Sequence, residues 1–374
     1  MDPLERCIKY FLQSVFVIFV IIPAGQAPLL LNVLYRIAWL IFLLYYSYLP
    51  VMLLIIGGDN SLVRWVRLFL SVGSAIIYMF CIVESTLKWR KYGRIVQKLR
   101  TIDDLMKRKF KVNLVQRRRF SYLKSRILPL LIILIICEAI KLFTLKRLNF
   151  SYWFTLTIVT GLRLRYFHII LILCDFNERL CLLCEALKRL KAYNGSDPRL
   201  ECAAWRRNNQ WEFAQLNMLR LIHGRIYELL QIINEHVGWS MTLIAQATLF
   251  EFVCYTYWCL TYKLVNKGMG AVIFNFVTIF SLGCLHYQWF RQADRVKQNG
   301  EKIAAITTQL YKPCDDKRYN DLLLVFLIQT MHQKFMVTTK GFHIIDLKNL
   351  ATTIHVFANY LVFLLQFTYT SPRR

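Results

Sequence analysis

Seven separate apolar runs divide this chain of 374 residues, at about 32–56, 66–87, 127–145, 152–174, 238–262, 270–290 and 346–368. About 20 apolar residues, coiled at about 1.5 Å each, cross a hydrocarbon core of about 30 Å. Inside that core every backbone N–H and C=O must be satisfied by the chain itself, which leaves helices or a closed barrel. The runs are continuous rather than alternating, so they select helices. The expectation is an all-α polytopic membrane protein with seven transmembrane helices, forming one membrane domain over residues 1–374. A hydrophobic content of 56% and a mean hydropathy of +0.39 agree.

Residues 88–126, 175–237 and 291–345, which lie between runs two and three, four and five, and six and seven, hold 33 of the 48 Lys and Arg residues. Positive charge stays on the cytosolic side, so these stretches are expected inside, with the amino terminus inside and the carboxyl terminus outside. A net charge of +26 does not point to nucleic acid, because the basic residues flank apolar runs instead of gathering on one soluble face. Residues 88–126 carry 15 basic residues against Asp103 and Asp104. That block suits either a surface lying on anionic inner-leaflet lipid or a plain topology signal.

Eleven cysteines, most of them in apolar runs or on the cytosolic side, imply no disulfide framework. Cys181 and Cys184 have metal-like spacing without a second Cys/His pair, so neither a metal nor a cofactor is expected. Residues 8–22 are too short to span and read as an interfacial or re-entrant helix, or as a signal peptide. Asn149-Phe150-Ser151 is a sequon in an outer connection, which makes Asn149 a glycosylation candidate, whereas Asn194-Gly195-Ser196 lies inside.

Helical periodicity does not stop at the membrane. Phe176, Leu180, Leu183, Leu187 and Leu190 form one apolar stripe, and Leu216, Leu219, Ile222, Ile226, Leu229 and Ile233 form a second. A cytosolic helical anchor is therefore expected below spans four to seven. Its Leu219, Ile226 and Ile233 are expected to bury against sister subunits.

The last run carries the most specific pattern. Asn359-Tyr360-Leu361-Val362-Phe363-Leu364-Leu365-Gln366-Phe367 resembles the carboxyl-terminal TYhhhhhQF signature of insect gustatory receptors, with Asn359 where that family usually has threonine. Gly341-Phe342-His343-Ile344-Ile345-Asp346 resembles the family's turn before its last helix, and Phe176-Asn177-Glu178-Arg179-Leu180 its charged helix below span four. The inverted orientation sets the chain apart from G-protein-coupled receptors. The resemblance implies a tetrameric, ligand-gated cation channel with an outer domain that binds tastant and a last helix lining the pore, Gln366 and Phe367 lying near the gate. Tyr360, Phe363, Leu364 and Phe367 fall at steps of three and four, so four copies could ring an axis. The other reading of that stripe is packing against lipid or neighbouring spans.

For the ligand, Glu251, Tyr255, Trp258 and Tyr262 share one helical stripe, and Glu138 and Trp153 are further candidates. A carboxylate among aromatics inside a membrane suits a cavity for alkaloid-like or other bulky organic molecules. Alternatively, Trp258 and Tyr262 anchor at the interface and Glu251 pairs internally. Arg163 and Arg165 lack an acid on their own run; Glu84, Glu138 and Glu251 are the available partners, unless the arginines snorkel to the cytosol.

The expectation is a gustatory receptor in the plasma membrane of chemosensory neurons. It would be a tastant-gated, non-selective cation channel subunit passing monovalent and divalent cations, with lipid and sister subunits as partners, no nucleic acid and no enzymatic activity. Gln366 stands where the resembled sugar-sensing branch carries Glu, which leans toward aversive or bitter compounds. The alternative is a transporter, or a non-conducting co-receptor or scaffold.

Overall fold

The computed structural model describes residues 3–22, 29–56, 62–110, 128–144, 150–194, 202–261, 269–311 and 317–370. Among these, regular structure is helical: α1 Pro3–Ile18, α2 Leu29–Ile56, α3 Leu62–Leu87, α4 Trp89–Phe110, α5 Leu128–Thr144, α6 Phe150–Asn194, α7 Cys202–Leu260, α8 Met269–Thr308, α9 Lys317–His332 and α10 Leu347–Thr370. One isolated antiparallel bridge, Thr338 to Ile344, joins no strand.

Each apolar run falls on a helix. Leu30–Tyr48, Leu68–Leu87, Leu156–Ala192, Gln210–Leu260 and Met269–Thr308 are long and apolar enough to cross a membrane. The remaining two runs fall on α5 and α10. Three helices run far beyond a bilayer's thickness: α6 has 45 residues, α7 has 59 and α8 has 40. At about 1.5 Å per residue α7 is about 88 Å long, nearly three hydrocarbon thicknesses. Its amino-terminal half therefore needs an apolar cover other than lipid.

That cover comes from the same chain. The helices α6, α7 and α8 pack on one another, and α9 lies against α7 and α8. Every residue of the two apolar stripes on α6 and α7 is at most 3% exposed, joining Ala293, Val296 and Ile303 of α8 and Leu323 and Phe326 of α9 in one core. This corrects the expected role of Leu219, Ile226 and Ile233. Their side chains are consumed by their own subunit's core and offer no surface to a sister. Periodicity identifies an apolar face but not its partner.

The helix α4 packs on α7 as well. It runs antiparallel along α7: Lys88 donates to the Glu235 carbonyl at 2.8 Å, Lys98 pairs with Glu228 at 2.5 Å, and Asp103 meets Arg179 of α6 at 2.8 Å. The basic residues of α4 are thus partly engaged by carboxylates of α7, as at Lys98, while residues 111–127 lie outside the described residues.

The first helix is built into the fold. Leu12 and Phe16 are buried, with the Phe16 ring 5.0 Å from His168 of α6. Val20 adopts a positive φ of 57° and turns the chain. The carbonyls ending α1 accept hydroxyls from its neighbours: Tyr35 to Ile18 at 2.6 Å, Tyr78 to Phe19 at 2.6 Å and Ser85 to Val20 at 3.3 Å. Side chains thereby satisfy the carbonyls that a helix end leaves without partners.

Burial in the core formed by α6, α7, α8 and α9 has a pH consequence. His223 of α7 sits edge-on to Phe326 at 5.4 Å and Phe335 at 5.0 Å, and burial holds its pKa down to about 4. An unfolded histidine titrates near 6.5. Between these values the unfolded chain binds the extra proton, so stability is complete above about pH 6.5 and falls as pH drops toward 4, by about 1.4 kcal/mol per unit. His223→Gln is expected to flatten the loss of melting temperature between about pH 6.5 and 4.5. An unchanged slope in the variant would remove His223 as its source.

Candidate functional site

The last helix is held at its start. Asp346 caps α10 by accepting from the Asn349 amide at 2.9 Å, and it takes Lys297 of α8 at 3.0 Å. The turn before it places Lys340 and Gly341 at positive φ, 54° and 82°, and Thr339 N–H donates to the His343 carbonyl at 3.0 Å. Phe342 then stacks near Trp239 of α7, ring centroids 5.8 Å apart. A Cβ at Gly238 would lie 2.8 Å from Lys340 Cγ, so this turn rests directly on the α7 backbone. This turn thus fixes the angle at which α10 leaves the core formed by α6, α7, α8 and α9.

Beyond the cap α10 packs on α7 and α8, with Phe357 edge-on to Phe252 at 6.0 Å. Tyr360 and Phe363 are 58% and 55% exposed, and Gln366 is exposed too. Leu364 is half-buried, as are Phe357 and Leu361, on the packed side of the helix. The proposed pore stripe therefore splits: Tyr360, Phe363 and Gln366 point away from the subunit, whereas Leu364 turns inward. The side chain of Phe367 lies outside the described residues.

Sequence spacing could not pair the intramembrane charges, and the fold does so. Glu138 of α5 accepts Lys141 at 2.8 Å and also pairs with Arg163 of α6. Glu84 of α3 takes Lys88 at 2.5 Å and lies 3.9 Å from Arg165. Glu251 of α7, 7% exposed, has the Ser74 hydroxyl at 3.5 Å. A cavity of about 20 Å³, room for a single water, lies among Val159, Arg163, Tyr166, Thr248, Glu251 and Leu282. Arg163 bridges this cavity and Glu138.

Tyr255 and Trp258 stand edge to face at 5.5 Å, and Trp258 is buried, so it is no interfacial anchor. Tyr262 and Asn149 lie outside the described residues, as does the side chain of Trp153. Sequence reading missed the group beside the cavity, where Tyr166 meets His286 Nδ1 at 2.5 Å and stands edge-on to Trp289 at 5.0 Å. Their shared face on α6 and α8 emerges only once those two helices are paired.

A family model described as 7tm Chemosensory receptor matches residues 26–371. Gustatory receptor 23a of Drosophila melanogaster is 30% identical over 161 residues, 40% of this chain, and the match spans 41% of that receptor's length. The olfactory receptor OR5 of Machilis hrabei has been solved alone and in complex with eugenol, and this chain is similar to both structures with a TM-score of 0.67. The identities are 12% for the complex and 11% without ligand; 96% and 98% of this chain and 98% and 100% of those chains are covered. Likeness at that identity concerns the fold alone. The family is a class of receptors rather than of enzymes. Matched over nearly its whole length, and folded as the olfactory receptor is, the chain belongs to the 7tm chemosensory receptor family of insect gustatory and olfactory receptors.

Proposed function

We propose that the chain is a gustatory receptor, one subunit of a tetrameric, tastant-gated cation channel in the plasma membrane of chemosensory neurons. It would cross the membrane seven times through α2, α3, α5, α6, α7, α8 and α10, with its amino terminus inside. The observation that carries this is the outward face of α10. Tyr360, Phe363 and Gln366 sit exposed on a helix whose start is clamped to the cytosolic core, and four such helices would ring an axis. An apolar ring that excludes water is a closed gate, and amides can replace part of an ion's hydration when it opens.

Subunit contact passes from Leu219, Ile226 and Ile233 to the apolar residues left exposed on α9, among them Leu324, Val325, Ile328 and Met331. The ligand enters from the outer half toward Glu251, Tyr255, Trp258 and Glu138, and Arg163, which lines the small cavity beside Glu251, changes the chemistry there. A cationic alkaloid would meet the guanidinium as well as the carboxylate, so uncharged molecules bearing a hydroxyl or carbonyl fit better. Aversive or bitter compounds remain the leading class, and Gln366 in place of Glu supports that choice.

The test is patch recording at matched surface expression. Phe367→Ala is expected to raise ligand-independent current several-fold. Gln366→Ala, which keeps the ring, is expected to change ion preference or open-state conductance instead. Wild-type currents and selectivity in both variants would favour a transporter or a non-conducting co-receptor.

A further inference from the structure

Where α1, α2, α3, α6 and α7 meet, two arginines are buried with too little negative charge around them. Arg36 of α2 is 5% exposed, and its Nη1 donates to Ser85 Oγ at 3.1 Å and Thr86 Oγ1 at 2.6 Å. Arg165 of α6 is 1% exposed, and its Nη2 donates to Ser240 Oγ at 3.3 Å. Nη2 of Arg36 and both Nε and Nη1 of Arg165 have no hydrogen-bond partner among the described residues.

The nearby carboxylate is already committed. Glu84 Oε1 takes Lys88 at 2.5 Å, while Oε2 accepts the Ser240 amide at 3.0 Å and the Ser240 hydroxyl. Arg165 and Lys88 therefore share one carboxylate, while the acceptors of Arg36 are the hydroxyls of Ser85 and Thr86. The carboxyl end of α1 adds only about half a negative charge, and three of its carbonyls are occupied by the hydroxyls of Tyr35, Tyr78 and Ser85. Arginine cannot shed its proton to relieve burial, and an uncompensated buried charge costs several kcal/mol. Arg36 lies within electrostatic reach of Arg165, so the two positive groups also repel.

Two buried imidazoles complete the enclosure. His168 and His236 flank Tyr92 at 5.8 and 5.9 Å, and the Nδ1 of each also has no partner among the described residues. Burial first, then Arg165 and Lys88, hold the pKa of His236 down to about 3, so it is neutral at physiological pH. A neutral imidazole has one N–H; that of His236 is engaged by the Lys88 backbone, so of the two only His168 can offer one to an acceptor.

We propose that this cluster binds a small anion of the halide or phosphate class, held between the guanidiniums of Arg36 and Arg165. The anion supplies the missing negative charge and accepts the N–H groups that the protein leaves without acceptors, as charge-assisted hydrogen bonds require. It would tie α1 and α2 to α6 at the base of the membrane domain. The same chemistry could be met by a free ion or by a phospholipid phosphate.

The experiment measures melting of the full receptor in phosphatidylcholine nanodiscs, with chloride or inorganic phosphate titrated against gluconate at constant ionic strength. A saturable rise in melting temperature is expected. Arg36→Gln should shift half-saturation upward by about tenfold, the loss expected for one charge-assisted hydrogen bond. Stabilisation by phosphatidylglycerol in gluconate, with no response to chloride or phosphate, would assign the anion to lipid and keep the site. Should Arg36→Gln fail to fold, bromide-soaked crystals of the unmodified receptor must show anomalous density beside Arg36 and Arg165. No dependence on anion or lipid, or no bromide at that position, would overturn the proposal.

Discussion

Glu138→Ala is expected to abolish delivery of the receptor to the cell surface. The carboxylate is shared by Lys141 at 2.8 Å and by Arg163, and both cations are buried. Removing it breaks the ion pairs of two cations on adjacent helices within apolar runs, Glu251 remaining beside Arg163. Breaking one buried pair typically costs about 3–5 kcal/mol, and here two pairs lose the same carboxylate. Removing all three charges together is much milder, because well-packed apolar replacements of an ion pair are often neutral for stability. Glu138→Leu, Lys141→Leu and Arg163→Leu combined should recover surface expression that Glu138→Ala alone loses. Surface biotinylation of the single and triple variants checks this. Equal expression of Glu138→Ala and the unmodified receptor would mean that lipid or water solvates both cations.

The same triad shows what the sequence could and could not tell. The seven apolar runs and the two stripes on α6 and α7 are legible because burial repeats at the helical period, and the period is written in the residues themselves. The acid that serves each arginine was not legible. Glu84, Glu138 and Glu251 are all within chain reach of Arg163 and Arg165, and only the rotation of α3, α5 and α7 about their axes selects Glu138 for Arg163 and Glu84 for Arg165.

The subunit anchor failed for a related reason. Leu219, Ile226 and Ile233 announce an apolar face, yet a tetramer interface and an internal core have the same periodicity, and α8 and α9 reached that face first. On α10 the spacing placed Leu364 beside Tyr360 and Phe363. The packed side, set by Phe357 on Phe252, takes Leu364 away from them. The turn at Gly341 and the cap at Asp346 were readable, since a positive φ and an N-cap each demand particular residues.

The second large effect concerns a residue that sequence analysis passed over, Gly161 of α6. A Cβ built there would lie 2.5 Å from Tyr78 Cζ and 2.6 Å from its hydroxyl oxygen, distances that real Cβ atoms do not show. Tyr78 has no room to retreat, because its hydroxyl donates to the Phe19 carbonyl at 2.6 Å and its ring meets Trp39 edge-on at 5.9 Å. One ring thus sets the approach of α6 to α3 and holds α1 and α2 in place. Gly161→Ala is expected to destabilise by about 1–3 kcal/mol, as overpacking does, and a larger side chain by more. The damage should centre on the α1–α2 side rather than on the cytosolic core. Tyr78→Leu removes the clashing atoms, so in that background Gly161→Ala should cost little, and the two changes should be non-additive by at least about 1 kcal/mol. Thermal melts of the two single variants and the double variant in one detergent measure the coupling. Additive losses would show that Tyr78 does not limit how closely α3 and α6 approach.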